Sequence, residues 1–227
     1  MNRTALVAAS VLALCVGDAS AARLPGALVS GRLYSFQVPE GRQFLYNQNS
    51  NYNGDGIDSQ NFTSGTFSSY DDQGADDFVI PKDQLWTITE VDVSGVYFNG
   101  SGPANSENVI FYKSTKFGKP GDPVKKGTFN ELDGKGGPNF RINLPGKGLQ
   151  LKAGHYWVSV IANMVFQTEG EWGWGMNGTV YNDAAEWRED DGNRFGECEG
   201  WQQIDQCISG APYGDFMFDL RGTSGGK

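Results

Sequence analysis

Beyond an apolar run at its start, the chain never sustains a 3.6-residue hydrophobic period for three turns. What recurs are short alternating or continuous runs of β-branched and aromatic residues, separated by Gly, Pro, Asn and Asp. Strands are predicted at Arg32–Val38, Gln43–Tyr46, Asn61–Phe67, Asp77–Ile80, Leu85–Val93 and Val96–Phe98. Further strands are predicted at Asn108–Lys113, Asn139–Leu144, His155–Met164, Glu171–Trp174, Thr179–Tyr181 and Asp215–Arg221. In the last, Phe216, Phe218 and Leu220 alternate with Asp215, Met217 and Asp219, as a half-buried strand requires. Tyr156, Val158, Val160 and Ala162 oppose His155, Trp157, Ser159 and Ile161, which suits a strand covered on both faces. Only Asp183–Asp190 offers a helix, and a brief one. A dozen short strands predict an all-β fold, a jelly-roll-like two-sheet antiparallel β-sandwich, with a closed barrel as the alternative.

The opening run sets the compartment. Arg3, the apolar stretch Ala5 to Val16 and Ala19-Ser20-Ala21 have the layout of a secretory signal peptide, residues 1–21. The stretch is too short for a membrane span, which takes roughly 20 apolar residues. No later segment is long enough either, so no membrane span is expected. The expected organisation is a segment 22–44 carrying the first strand, a sandwich domain 45–222 and a flexible tail 223–227. Loss of the signal removes Cys15 and leaves Cys198 and Cys207, which in an oxidising compartment read as one disulfide. Two thiols and one distant histidine do not fill a zinc shell. Sequons stand at Asn61, Asn99 and Asn177.

Composition sharpens this picture. The 227 residues include 32 glycines, roughly twice the ordinary share of about 7%. Tight turns account for that excess, because glycine adopts positive φ at no steric cost. With 18 Lys and Arg against 27 Asp and Glu, the net charge of −9 makes nucleic acid an unsuitable partner. The charge is uneven. Lys113 to Lys147 carries eight basic residues against three acids and reads as a long basic loop region. Asp55 to Asp77 carries six Asp and no base, and Glu169 to Asp205 carries ten acids against Arg188 and Arg194.

Several phrases, in order, resemble a known module: Tyr70–Pro81 (YDDQGADDFVIP), Leu85–Pro103 (LWTITEVDVSGVYFNGSGP) and Gly154–Met164 (GHYWVSVIANM). Glu171–Gly175 (EWGWG) and Asp215–Gly222 (DFMFDLRG) follow. From about Leu45 to Gly222 the chain resembles a β-sandwich module of exported bacterial proteins, found alone or appended to secreted hydrolases. The resemblance implies the fold and an exported setting. It implies no activity and no catalytic residues.

The chemistry-bearing residues give three candidate sites. Trp172 and Trp174 are two apart, hence on one strand face, and neighbouring glycines suggest uncrowded rings. With Glu171 and Trp187 they suggest a sugar site, since aromatic faces stack on CH groups while carboxylates accept from hydroxyls. The run Asn51-Tyr-Asn53-Gly-Asp55-Gly-Ile-Asp58 approaches a calcium loop but has Phe62 where an EF-hand has its final acid. A looser calcium site would draw on Asp55, Asp58, Asp76 and Asp77, with ordinary Asx-turn chemistry as the alternative. Glu169, Glu171, Glu186 and Asp205 among tryptophans would suit a carboxylate-based glycoside hydrolase. His155, the one histidine, lacks any nucleophile motif and reads as a strand-start residue. No coherent catalytic set emerges. The expected function is a secreted, non-enzymatic module binding an extracellular glycan or cell-surface ligand. The rivals are the hydrolase and a purely structural domain of an extracellular assembly.

Overall fold

The computed structural model describes residues 28–30, 43–65, 67–134, 137–189 and 198–226. The expected signal segment 1–21 and the predicted strand Arg32–Val38 lie outside these residues. In chain order the strands are β1 (Leu28–Ser30), β2 (Gln43–Asn47), β3 (Tyr52–Asp58), β4 (Gln60–Phe62), β5 (Asp72–Val93), β6 (Gly95–Phe98) and β7 (Ser106–Ser114). They continue with β8 (Pro120–Leu132), β9 (Phe140–Asn143), β10 (Leu149–Met164), β11 (Glu171–Asn177), β12 (Glu186–Glu189), β13 (Gln202–Gln203), β14 (Asp215–Phe216) and β15 (Phe218–Gly226).

Two sheets pack face to face, as the strand pattern predicts. The smaller runs β1-β3-β11-β14, with β6 also on β11. The larger runs β13-β12-β5-β10-β7-β8, with β15 and β9 also on β5, β2 on β15 and β4 on β10. Pairing is antiparallel throughout except for the parallel pair β4 and β10. Two segments cross from one sheet to the other. β5 becomes β6 at Ser94, and β14 becomes β15 at Met217. Three backbone bonds pin the crossings together: Ser94 N–H to Met217 O (3.2 Å), Met217 N–H to Gly175 O (2.8 Å) and Gly175 N–H to Ser94 O (2.8 Å).

Side-chain alternation along β10 sorts the larger sheet into two faces. Val158, Val160, Ala162 and Met164 point into the main core with Phe78, Phe111, Trp172, Trp174, Phe216 and Phe218. His155, Trp157, Ser159, Ile161 and Asn163 point outward. Trp157 joins Ala75 and Tyr112 there in a small second cluster against Ile110 and Trp201. Elsewhere on the large sheet a charge ladder crosses three strands, with Asp219 and Arg221 of β15, Glu90 and Asp92 of β5, and Arg141 of β9. Arg221 is buried, donates to Asp92 Oδ2 at 2.7 Å and lies 4.0 Å from the Phe44 ring.

Several local expectations change. Asp183–Asp190 forms no helix among its described residues; its 186–189 portion is β12. Among the described residues the helices are instead single turns, α1 (Phe166–Glu169) and α2 (Ile204–Cys207), with a 3-10 turn at Ser68–Tyr70. Thr179–Tyr181 is not a strand. The basic region contains β8, whose mostly exposed residues form the sheet edge. Lysines and prolines on such an edge discourage pairing with another chain. The expected flexible tail is strand as far as Gly226, opposite Gln84–Thr87.

Cys198 and Cys207 form the expected disulfide, nine positions apart. Closing so short a loop stabilises by about 2–3 kcal/mol through the unfolded chain's lost entropy. The Cys198→Ser/Cys207→Ser double variant is expected to lose that amount in a urea denaturation curve. Among the described residues no helix is long and apolar enough to cross a membrane.

Candidate functional site

The tryptophan site is corrected by burial. Trp172, Trp174 and Trp187 are each 0% exposed, and so is Glu171. The two tryptophans of β11 do share a face, but it is the core face. Trp174 stacks on Phe216 at 4.5 Å and 12°, and Trp172 leans on Phe140 at 4.8 Å. Their indole N–H groups donate to Met217 O (2.8 Å) and Pro138 O (2.7 Å). Trp187 donates to Asp58 O (2.8 Å). A ring with no accessible face cannot stack on a sugar. The nearby glycines have another meaning: a Cβ on Gly95 would sit 2.3 Å from Trp172 Nε1, so the indole fills the space a side chain would need.

The four aspartates proposed for calcium are also separated. Asn51–Asp58 is mostly strand β3, and Asp55 N–H bonds to Asn53 Oδ1 (2.9 Å), the Asx-turn alternative. Asp58 lies buried near Asp72 and Glu171, and burial followed by those two charges pushes its carboxyl well up. Asp76 and Asp77, adjacent on β5, point to opposite faces. Asp76 turns inward to Gln48 Nε2 (2.7 Å) and the Phe216 N–H. Three of the hydrolase carboxylates are engaged with partners of their own. Glu169 accepts from Asn105 Nδ2 (3.1 Å), Glu171 from Asn99 Nδ2 (2.6 Å), and Glu186 lies 3.5 Å from Lys119 Nζ. Asp205 is exposed on α2. The Asn177 sequon is sealed: its side chain is buried and donates to Gln48 O (2.8 Å).

Two outward-facing features remain, one at the C-terminal end of β10 and one near its middle. At the first, the register places Asn61 of β4, Asn163 of β10 and Ser106 of β7 in one row. Asn108, two residues along β7, meets the bulge of β8, where Glu131 has φ 52° and its N–H donates to Asn108 Oδ1 (3.0 Å). Asn163 ties the row together. Its Oδ1 accepts from Asn61 (3.0 Å) and Asn108 (3.1 Å), and its Nδ2 donates to Ser106 Oγ (2.9 Å) and Asn108 Oδ1 (3.1 Å). Around this fixed centre lies an open groove of about 620 Å³. Thr63, Asn105 and Asn130 complete its lining, all three exposed. Every lining residue is polar, and the only ionisable one is Glu131.

At the second, His155 meets Asp77 through a side-chain hydrogen bond, and its Nε2 lies 3.8 Å from Asp183 Oδ2. Asp77 also accepts from Asn182 Nδ2 (3.4 Å) and from the Asp183 N–H (3.2 Å). Burial raises the Asp77 carboxyl, and the hydrogen bond to His155 opposes that rise. The same bond raises the imidazole against the effect of its partial burial.

No protein family, curated protein or solved structure matches the chain. The fold and these two clusters therefore carry the functional reading. Neither was legible beforehand. The groove's five asparagines are scattered over four segments; Asn61, Asn108 and Asn163 fell in predicted strands and only Asn61 was marked, as a sequon. Of the second cluster, only Asp77 belonged to a predicted site.

Proposed function

We propose that the protein is a secreted, non-enzymatic module that binds a carbohydrate ligand on an extracellular surface, through the asparagine-lined groove. The observation that carries this reading is the groove's lining. Asn163 is saturated within the network, but around it the amides of Asn61, Asn105 and Asn130 still offer both donor and acceptor, the pairing that a hydroxyl-rich, uncharged ligand needs. Its volume lies within the roughly 300–1,000 Å³ of small-ligand sites. The Asn163 network holds the floor rigid, so binding would not have to order it. The signal-like start and the disulfide support an exported setting. The resemblance to a module of exported bacterial proteins points the same way.

A glycan-array screen followed by calorimetry tests the proposal. Asn105→Ala and Asn130→Ala, both at exposed positions, are expected to weaken the ligand found by about tenfold each, the cost of one or two lost hydrogen bonds. They should leave the melting temperature within a degree or two. Absence of any glycan binding, or binding that ignores both variants, would sink it.

A further inference from the structure

We propose that Asp77, His155 and Asp183 form a binding site for a divalent transition-metal ion of the zinc class. Among the described residues these three are the group of His, Cys and carboxylate donors whose ligating atoms all lie within 4.8 Å of one another. They come from three separate parts of the chain: β5, β10 and the segment between β11 and β12. The sheet fixes the first two, because Asp77 pairs with Trp157 and His155 with Val79 across adjacent strands. The third is brought in by backbone, since the Asp183 N–H donates to Asp77 Oδ2.

Donor spacing suits a small ion. Ligand atoms about 2.0–2.2 Å from a tetrahedral metal lie roughly 3.4 Å from each other. The His155–Asp183 separation of 3.8 Å needs to shrink slightly, and the His155–Asp77 pair needs to open from hydrogen-bond contact. The surroundings match what metal ligands need. Asn182 holds the second oxygen of Asp77, and the Trp157 ring stacks beside the imidazole at 6.1 Å and 22°. The His155 and Asp183 side chains are 30% and 46% exposed, which leaves an open side for water or a ligand.

A further carboxylate lies nearby. Glu186 stands opposite Ala75, two residues from Asp77 on the same sheet face, and is 2% exposed. Its Oε2 is paired with Lys119 Nζ at 3.5 Å. Asp183 is close enough to act on it electrostatically. Glu186 and its Lys119 partner border the triad, whose three donors supply the protein ligands. The imidazole sets the class of ion. Calcium takes six to eight oxygen ligands, whereas one nitrogen with two carboxylates suits zinc and its neighbours.

His155 is the sole histidine, which makes the test clean. Tag-free protein, dialysed against chelator, is titrated with zinc chloride and with calcium chloride by calorimetry. The imidazole proton signals are followed by NMR. One equivalent of zinc is expected to bind with micromolar affinity, to shift those signals, and to outcompete calcium by at least about a hundredfold. His155→Gln and Asp183→Asn should each weaken zinc by about tenfold or more. Absence of zinc binding at millimolar concentration would overturn the proposal, as would imidazole signals that do not move, equal affinity for calcium, or variants that bind as the parent does. If His155→Gln fails to fold, the imidazole signals of the unaltered protein decide. Because this site and the groove share no residue, and His155 stands eight residues from Asn163 along β10, failure of one reading leaves the other standing.

Discussion

Stability is expected to fall as pH rises from about 5 to 8, in chelator-treated buffer. Two buried carboxyls away from the His155 cluster carry this result. Burial pushes Glu107 from its ordinary 4.5 up to about 7, and the donated Gly134 N–H only partly offsets it. Burial, reinforced by the neighbouring Asp92 charge, pushes Asp219 from 3.8 up to about 7, against the pull of Arg221. Both groups hold a proton more tightly folded than unfolded. Their contribution is therefore complete below the unfolded values near 4 and is lost as pH climbs through about 7. A tenfold gain in proton affinity on folding is worth about 1.4 kcal/mol, so each group contributes at most about 3–4 kcal/mol. Glu107 is 1% exposed and Asp219 4%, so solvent screens little of this. Set against a usual total of about 5–15 kcal/mol, the combined effect is large. Urea midpoints measured at successive pH values give the slope, and Glu107→Gln should flatten it. A midpoint that is constant or rises toward pH 8 would contradict the assignment.

The second large effect is expected from Trp174→Ala, a loss of about 3–5 kcal/mol. The ring is fully buried, stacks on Phe216, and reaches Phe218 and Trp172 at 6.3 and 6.2 Å. Its truncation opens a cavity at the place where both sheet crossings meet. It also deprives Met217 O of an indole donor. Trp174→Phe keeps most of the apolar contact and removes only that donor, for an expected cost of about 1–3 kcal/mol. An exposed sugar-stacking tryptophan would lose roughly 0.5 kcal/mol or less on the same change. Thermal melts of the two variants distinguish the roles without any ligand.

How much the sequence reveals depends on what each strand touches. β10 and β15 were readable because one face of each packs on the core and the residues there alternate. β8 was not readable: as an edge strand it carries Pro120, Pro123, Lys125 and Lys126, the residues that mark a loop elsewhere. β3 escaped for a related reason. Its Asn, Gly and Asp composition imitates a turn, yet Gly56 pairs with Gly175 in the middle of the smaller sheet. For Trp172 and Trp174, spacing correctly put both rings on one side of the strand. A period of two says which residues share a face, not which way that face turns. Both candidate sites depend on register between strands distant in sequence, as with Asn61 beside Asn163 and Asp77 beside His155. No local pattern encodes such neighbours.

The position of β15 has a kinetic consequence. It follows every other described strand in the chain, yet it lies between β2 and β5 in the finished sheet. The sheet cannot close around β5 until residues 218–226 have arrived, and almost every pairing spans a long stretch of sequence. Such a topology has high contact order and belongs among slow folders, in the range of roughly milliseconds to seconds. Until that strand is in place, β2 and β5 each keep an unpaired edge, the kind of surface at which partly folded chains associate with one another.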